Sequence, residues 1–176
     1  FLKGDNMKFI ALFIIFVCIS LIGFTLGNGF KLRVKELQEF ESAFYSLKNN
    51  ITFMRTPISQ ALKSSFNRKS QMSFIFAKIA HEIDEGEFYN IIDVVKDLFE
   101  KHKDKLYLNQ SDLDMIYDFF INLENNNIDS FENLFNIFSK RIDEQLKDAI
   151  DVRNKDNKIY STLGIGIGAM IVIFLI

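Results

Sequence analysis

Residues 34–51, VKELQEFESAFYSLKNNI, place Val34, Leu37, Phe40, Phe44, Leu47 and Ile51 at spacings of three and four. An α-helix turns every 3.6 residues, so these six line one face and predict a helix with a single buried stripe. The same rhythm returns five times downstream. Thr56 is expected to cap a second helix with Pro57 at its first position, where a missing N–H costs nothing, and Ile58, Ala61, Leu62 and Phe66 form its inner face. A third helix runs from about Met72 with Ile75, Phe76, Ile79, Ala80 and Ile83 inward, and Gly86 is its expected stop.

Phe88, Ile91, Ile92, Val95, Leu98 and Phe99 give a fourth stripe that ends in the polar run His102 to Lys105. Ser111, with Asp112 and Asp114 in the first turn, is expected to open a fifth helix through Ile116, Tyr117, Phe120 and Leu123, closed by Asn125 to Asn127. The sixth begins near Asp129 or Ser130 and carries Phe131, Leu134, Phe135, Phe138, Ile142, Leu146 and Ala149, with no proline or glycine before Gly164. No strand-like alternation competes with these patterns. The expected fold is all-α: an antiparallel bundle of about six helices with a phenylalanine-rich core.

Two uncharged runs flank the bundle, Phe9–Phe30 with 22 residues and Ile159–Ile176 with 18. At ~1.5 Å per helical residue they cover a ~30 Å hydrocarbon layer, the second only just. The expected organisation is an N-terminal tail over 1–8, a transmembrane helix over 9–30, a helical-bundle domain over 31–158 and a second transmembrane helix over 159–176. Met7, followed by Lys8 and the apolar run, reads as the initiator. The first run is too long for the apolar centre of a signal peptide and lacks an Ala-x-Ala exit, while Ile15, Phe16 and Val17 are too bulky for a lipoprotein site before Cys18. A retained anchor is expected.

Lys31, Arg33 and Lys35 follow the first run and Lys147, Arg153, Lys155 and Lys158 precede the second, against Lys3 and Lys8 on the other side. Lys and Arg beside spans are retained in the cytoplasm, so the bundle is expected there. Residues 31–158 hold 19 Lys and Arg and 22 Asp and Glu. That balance carries no basic excess for nucleic acid. The charge is polarised along the chain: residues 31–81 sum to +6 and residues 82–158 to −9. Self-complementary packing of solvated faces accounts for such a division, and so does a surface that steers a charged partner.

Chemistry is hard to find. The two histidines, His81 and His102, fall on different expected helices and neither begins a metal-ligand spacing. His81 beside Glu82, Asp84 and Glu85 reads as a solvated helix end. Asp112, Asp114 and Asp118 lack the glycine and terminal glutamate of a calcium loop, and no phosphate-binding loop or dinucleotide fingerprint is present. The single cysteine excludes a disulfide framework. No catalytic, cofactor-binding or metal-ligating residue is assigned, and the chain is expected not to be an enzyme. The glycine pairs Gly23 with Gly27, and Gly164 with Gly168, have the GxxxG spacing that lets transmembrane helices approach closely, within one chain or between copies of a homo-oligomer.

Order and spacing along the chain resemble the stage III sporulation protein AB family of endospore-forming Firmicutes, itself similar to inner-membrane platform proteins of type II secretion and type IV pilus systems. The resemblance rests on Ser20-Leu21-Ile22-Gly23-Phe24 ending the first run, on the helix Leu37 to Ile51, and on Thr56-Pro57-Ile58-Ser59-Gln60-Ala61-Leu62, which looks like the family's Pro-Leu-x-x-Ala-Leu element. Glu85-Gly86 and Tyr160-Ser161-Thr162-Leu163-Gly164 continue it. Before the last helix the family tends to have Leu-Gly-x-x-Asp-x-x-x-Gln. Here the chain keeps Asp129 but has Asn in place of the Gly and, at Asn133, of the Gln.

The resemblance implies a non-enzymatic platform of the sporulation channel complex, in the mother-cell membrane around the forespore. Its implied partners are a cytoplasmic AAA-like ATPase, the stage III AA protein, and other subunits of the complex. Candidate contacts for the ATPase are Arg55, Lys63, Arg68 and Lys69 around the second helix and the acids Glu82, Asp84, Glu85 and Glu87. The competing reading is a two-span helical sensor or receptor subunit, which would need an output domain after its second span.

Overall fold

The only proline in the chain is Pro57, so nothing interrupts backbone pairing before it, and helix α1 runs from Leu2 to Thr52 without a break. The computed structural model describes residues 2–66, 70–86, 90–125 and 131–175. Within those helices it leaves out the side chains at 2–12, 20, 23, 24, 26, 125, 157, 158, 160, 161, 164, 165, 168, 169, 172, 174 and 175. After α1 come α2 (Ile58–Ser65), α3 (Gln71–Glu85), α4 (Ile91–His102), a 3-10 turn over Lys103–Lys105, α5 (Gln110–Asn125) and α6 (Phe131–Leu175), with no strand among the described residues. The chain is all-α, as the periodicity predicts.

Four helix starts differ from expectation or refine it. Pro57 has ψ of 144°, which is extended, so it precedes α2 as its cap, and the helix opens at Ile58 without a side-chain cap. Thr56 is not the cap, since that position falls to Pro57, and its N–H donates to the carbonyl of Asn50 at 2.9 Å. Helix α5 opens two residues before the expected turn of Ser111. Asn109 Oδ1 accepts the Asp112 N–H while Asp112 Oδ2 accepts the Asn109 N–H, both at 2.9 Å, a reciprocal capping box in which Asp fills the place usual for Glu. Ser70 caps α3 by accepting the Ser73 N–H, and Asn90 caps α4, whose expected member Phe88 lies outside the described residues. Gly86 ends α3 at φ +66°, a left-handed position that a side chain adopts only at a cost.

By compactness the chain divides into two units, Arg33–Asp148 and the pair Phe1–Leu32 with Ala149–Ile176. In the first, α2 packs on α3, α3 on α4 and α4 on α5 across short connections. Its core is built on phenylalanine. Phe44 of α1 meets Phe119 of α5 and Phe135 of α6, each at 5.2 Å between ring centres, which ties the first and last helices to the fifth. Phe76 of α3 stacks on Phe66 at 3.7 Å and contacts Phe99 and Phe120 at 6.0 and 5.7 Å. Aromatic pairs in such geometries contribute about 0.5–1.5 kcal/mol beyond the area they bury. All six apolar residues of the 34–51 stripe are buried.

In the second unit the described side chains include many large apolar groups that are exposed, among them Phe13, Ile14, Leu21, Ile22, Leu163, Met170 and Ile173. Among the described residues no helix is long and apolar enough to cross a membrane. Both uncharged runs, where two crossings are expected from sequence, include side chains outside that description. Of the glycine pairs, Gly27 is buried, while Gly23, Gly164 and Gly168 lie among the positions not described. Gly166, between the last two, faces open space.

Candidate functional site

Ionisable groups are rarely buried without a partner, so the buried ones in the bundle mark where the sequence departs from simple amphipathic packing. Arg33, near the start of the bundle part of α1, is 7% exposed and Asp112 in the first turn of α5 is fully buried. The guanidinium donates through Nε and Nη2 to the two carboxylate oxygens at 2.7 and 2.9 Å, a bidentate fork. It also reaches Asp148 of α6 at 3.4 Å. The hydrogen bond to Asp112 is the largest reason the Arg33 guanidinium is held above its ordinary value. Together with the Asn109 N–H, these contacts fill the lone pairs of Asp112 that point inward. A carboxylate so occupied is a clasp between α1, α5 and α6 rather than a base waiting for substrate.

One turn along α1, Glu36 accepts the Tyr107 N–H at 2.8 Å and so pins the connection between the 3-10 turn and α5. Burial pushes its carboxyl up to about 7, helped by the charges of Glu39 and Asp112 and opposed by the backbone hydrogen bonds from residues 107 and 108. Glu39, another turn on and 8% exposed, accepts the hydroxyls of Ser70 and of Ser73, the latter at 3.2 Å. Beside it lies a cavity of about 20 Å³, lined also by Ser42 and Ser65, room for one water. Arg33, Glu36 and Glu39 thus mark three successive tie points between α1 and the segments packed on it. By sequence Arg33 is only a charge flanking an uncharged run and Asp112 only a first-turn acid. The pattern Asn109-x-x-Asp112 was the signal available for the capping box.

The expected partner-binding residues are brought together only in part. Lys63 of α2 is ion-paired with Asp84 of α3, and the Lys63 and Ser59 hydrogen bonds hold the Asp84 carboxyl below the usual range. His81 stands 3.6 Å from Glu85 one turn along the same helix. Arg68, Lys69 and Glu87 lie outside the described residues. Arg55 is exposed at φ +51°, in the tight turn between α1 and α2. Glu82 lines a groove of about 460 Å³ between α3 and α4. The groove's floor includes Val94 and Leu98 and its rim Asp93, Asp97, Lys101 and His102. Among the described residues no group of His, Cys, Asp or Glu side chains gathers in a way that could hold a metal ion.

The bundle thus holds a buried clasp, a paired α2–α3 surface and a groove with mixed charge. The family model described as stage III sporulation protein AB matches residues 8–176. The chain belongs to the stage III sporulation protein AB family. The match takes in α1 from residue 8, all of α6 and the chain between them, so the resemblance seen in the order of sequence elements holds over the bundle and both uncharged runs. No curated protein and no solved structure matches the chain. A sporulation-related role follows from membership of the family.

Proposed function

We propose that this protein is a non-enzymatic membrane platform of the channel complex between mother cell and forespore, docking a cytoplasmic AAA-like ATPase to the membrane apparatus. The observation that carries the membrane part is the second unit. Its two uncharged runs leave large apolar side chains exposed, with Phe13 at 66% and Ile173 at 75%, over a stretch far wider than the scattered single residues of an ordinary soluble surface. Lipid is the solvent that such a surface suits. Two spans would place the bundle on one side of the bilayer, and the Lys and Arg beside the uncharged runs favour the cytoplasm, in the mother-cell membrane around the forespore. Arg33 is turned inward onto Asp112, yet Lys31, Lys35, Lys147, Arg153, Lys155 and Lys158 still outweigh Lys3 and Lys8.

Docking is assigned to the α2–α3 surface, where Lys63, Asp84 and Glu85 are exposed. Charged groups on a rim steer association and set partner choice more than they add affinity. Reversing the charge at Lys63, Asp84 and Glu85 together is expected to abolish co-purification of the stage III AA-type ATPase with the detergent-solubilised chain, at low salt first. Co-purification unchanged at low and high salt would remove electrostatic docking from this account.

A further inference from the structure

The turn after α1 is an unusual object. Phe53 and Met54 stand side by side at 78% and 72% exposure, the most exposed large apolar pair among the described residues of the bundle unit. Neither is loose: their N–H groups both donate to the Asn49 carbonyl, at 3.1 and 3.2 Å, and the Thr56 N–H closes the turn on Asn50. The Asn50 side chain in turn reaches the hydroxyls of Ser64 and Ser65 on α2. Arg55 follows at φ +51°, a conformation that costs a non-glycine residue energy and persists where the surroundings impose it. The result is a pre-ordered knob of two apolar side chains with a cation at its edge. Pre-ordering lowers the entropic cost of binding.

The α3–α4 groove is the complementary shape. It offers about 460 Å³ over an apolar floor of Val94 and Leu98. Its cations are engaged: Lys101 is paired with Asp97, and Lys78 lies over the Phe74 ring at 4.9 Å. Glu82 and Asp93 on the rim have no ion-pair partner among the described residues. An apolar floor with unpaired carboxylates at the edge is what a knob carrying Phe53, Met54 and Arg55 would seek. The knob belongs to the +6 part of the chain and most of the groove to the −9 part.

We propose that copies of this chain associate head to tail, the Phe53–Met54 knob of one seating in the α3–α4 groove of the next with Arg55 facing Glu82 and Asp93. Such a contact is heterologous: each copy keeps a free knob and a free groove, and repetition gives a ring or a line. The contact buries little area and is weak in dilute solution. Confinement to a membrane raises the effective concentration and makes it productive. The proposal stands whether or not an ATPase docks on the α2–α3 surface.

The test uses the purified full chain in phosphatidylcholine vesicles with no other protein, insertion being checked by flotation. One preparation carries Phe53→p-benzoylphenylalanine, which keeps the aromatic knob, and is mixed with unsubstituted chain bearing a different tag before irradiation. A covalent dimer whose cross-linked peptide lies within residues 78–102 of the unsubstituted chain is expected. Arg55→Glu should reduce its yield at least fivefold, and a partner carrying Glu82→Arg and Asp93→Arg should restore it. A cross-link to the partner's own 53–54 turn, a cross-link elsewhere, or no covalent dimer overturns the proposal. Chain that fails to float is irradiated in solution at high concentration, where the same peptide map decides, so loss of the membrane reading and loss of this one are told apart.

Discussion

Arg33 and Asp112 show how much of the bundle depends on single charges. Removing Asp112 leaves the buried Arg33 guanidinium only the exposed Asp148 at 3.4 Å, and the loss of one member of a buried pair costs up to about 3–5 kcal/mol. Asp112→Ala is therefore expected to lower the thermal midpoint steeply, followed by circular dichroism in detergent, and Arg33→Met added to it should recover part of the loss. Glu36 makes a prediction in pH. Its carboxyl titrates at about 7 in the folded chain against 4.5 as the ordinary value, so the folded state favours the protonated form. Stability from this group is fully present below pH 4.5, falls as the pH rises toward 7, and is gone above it. Glu36→Gln should remove that slope and raise stability at pH 8 by roughly 1–2 kcal/mol, the full shift being discounted because the group is partly screened by solvent. A midpoint that rises with pH between 5 and 7.5 in the unsubstituted chain would contradict this.

At the scale of elements, helix stripes were readable because burial follows a 3.6-residue period. Val34, Leu37, Phe40, Phe44, Leu47 and Ile51 are all buried, as are Phe131, Leu134, Phe135, Phe138 and Ile142 on α6. Gly86 was readable too, since a left-handed stop favours glycine. Gly86→Ala meets no atom within 4 Å, so its cost is backbone strain alone, about 1 kcal/mol, readable as a lowered denaturation midpoint. Helix starts were harder. Ser111 and Asn109 are equally good caps by residue type, and what selected Asn109 was Asp112 turning inward to meet Arg33, a contact between residues 79 apart. Thr56 likewise yields the cap position to Pro57, whose extended ψ of 144° makes Ile58 the first helical residue.

For the whole molecule, the aromatic core couples distant parts of the chain. Phe44 joins α1, α5 and α6 through rings, and Phe44→Ala is expected to cost about 3–5 kcal/mol, with cooperative melting of the entire bundle rather than local fraying. Two anchors would also restrict where reagents reach. Cysteines placed singly at Lys63 and at Asp114, with Cys18 replaced, should be labelled by a membrane-impermeant maleimide only after the cells are opened. Labelling of intact cells at either position removes the cytoplasmic assignment of the bundle.

Fold class, helix count, the buried stripes and the family were all legible in the order of residues, because apolar periodicity and element spacing are local properties that survive without knowledge of contacts. The charge division of +6 and −9 was legible as well, but not its use. Only the folded chain revealed that Arg33 is a clasp and not merely a flanking charge, that Lys63 and Asp84 satisfy each other, and that an ordered apolar knob and an acid-rimmed groove occur on one bundle. Each of these depends on which residues far apart in the chain come within a few ångströms, and that distance is set by packing, which no local pattern encodes.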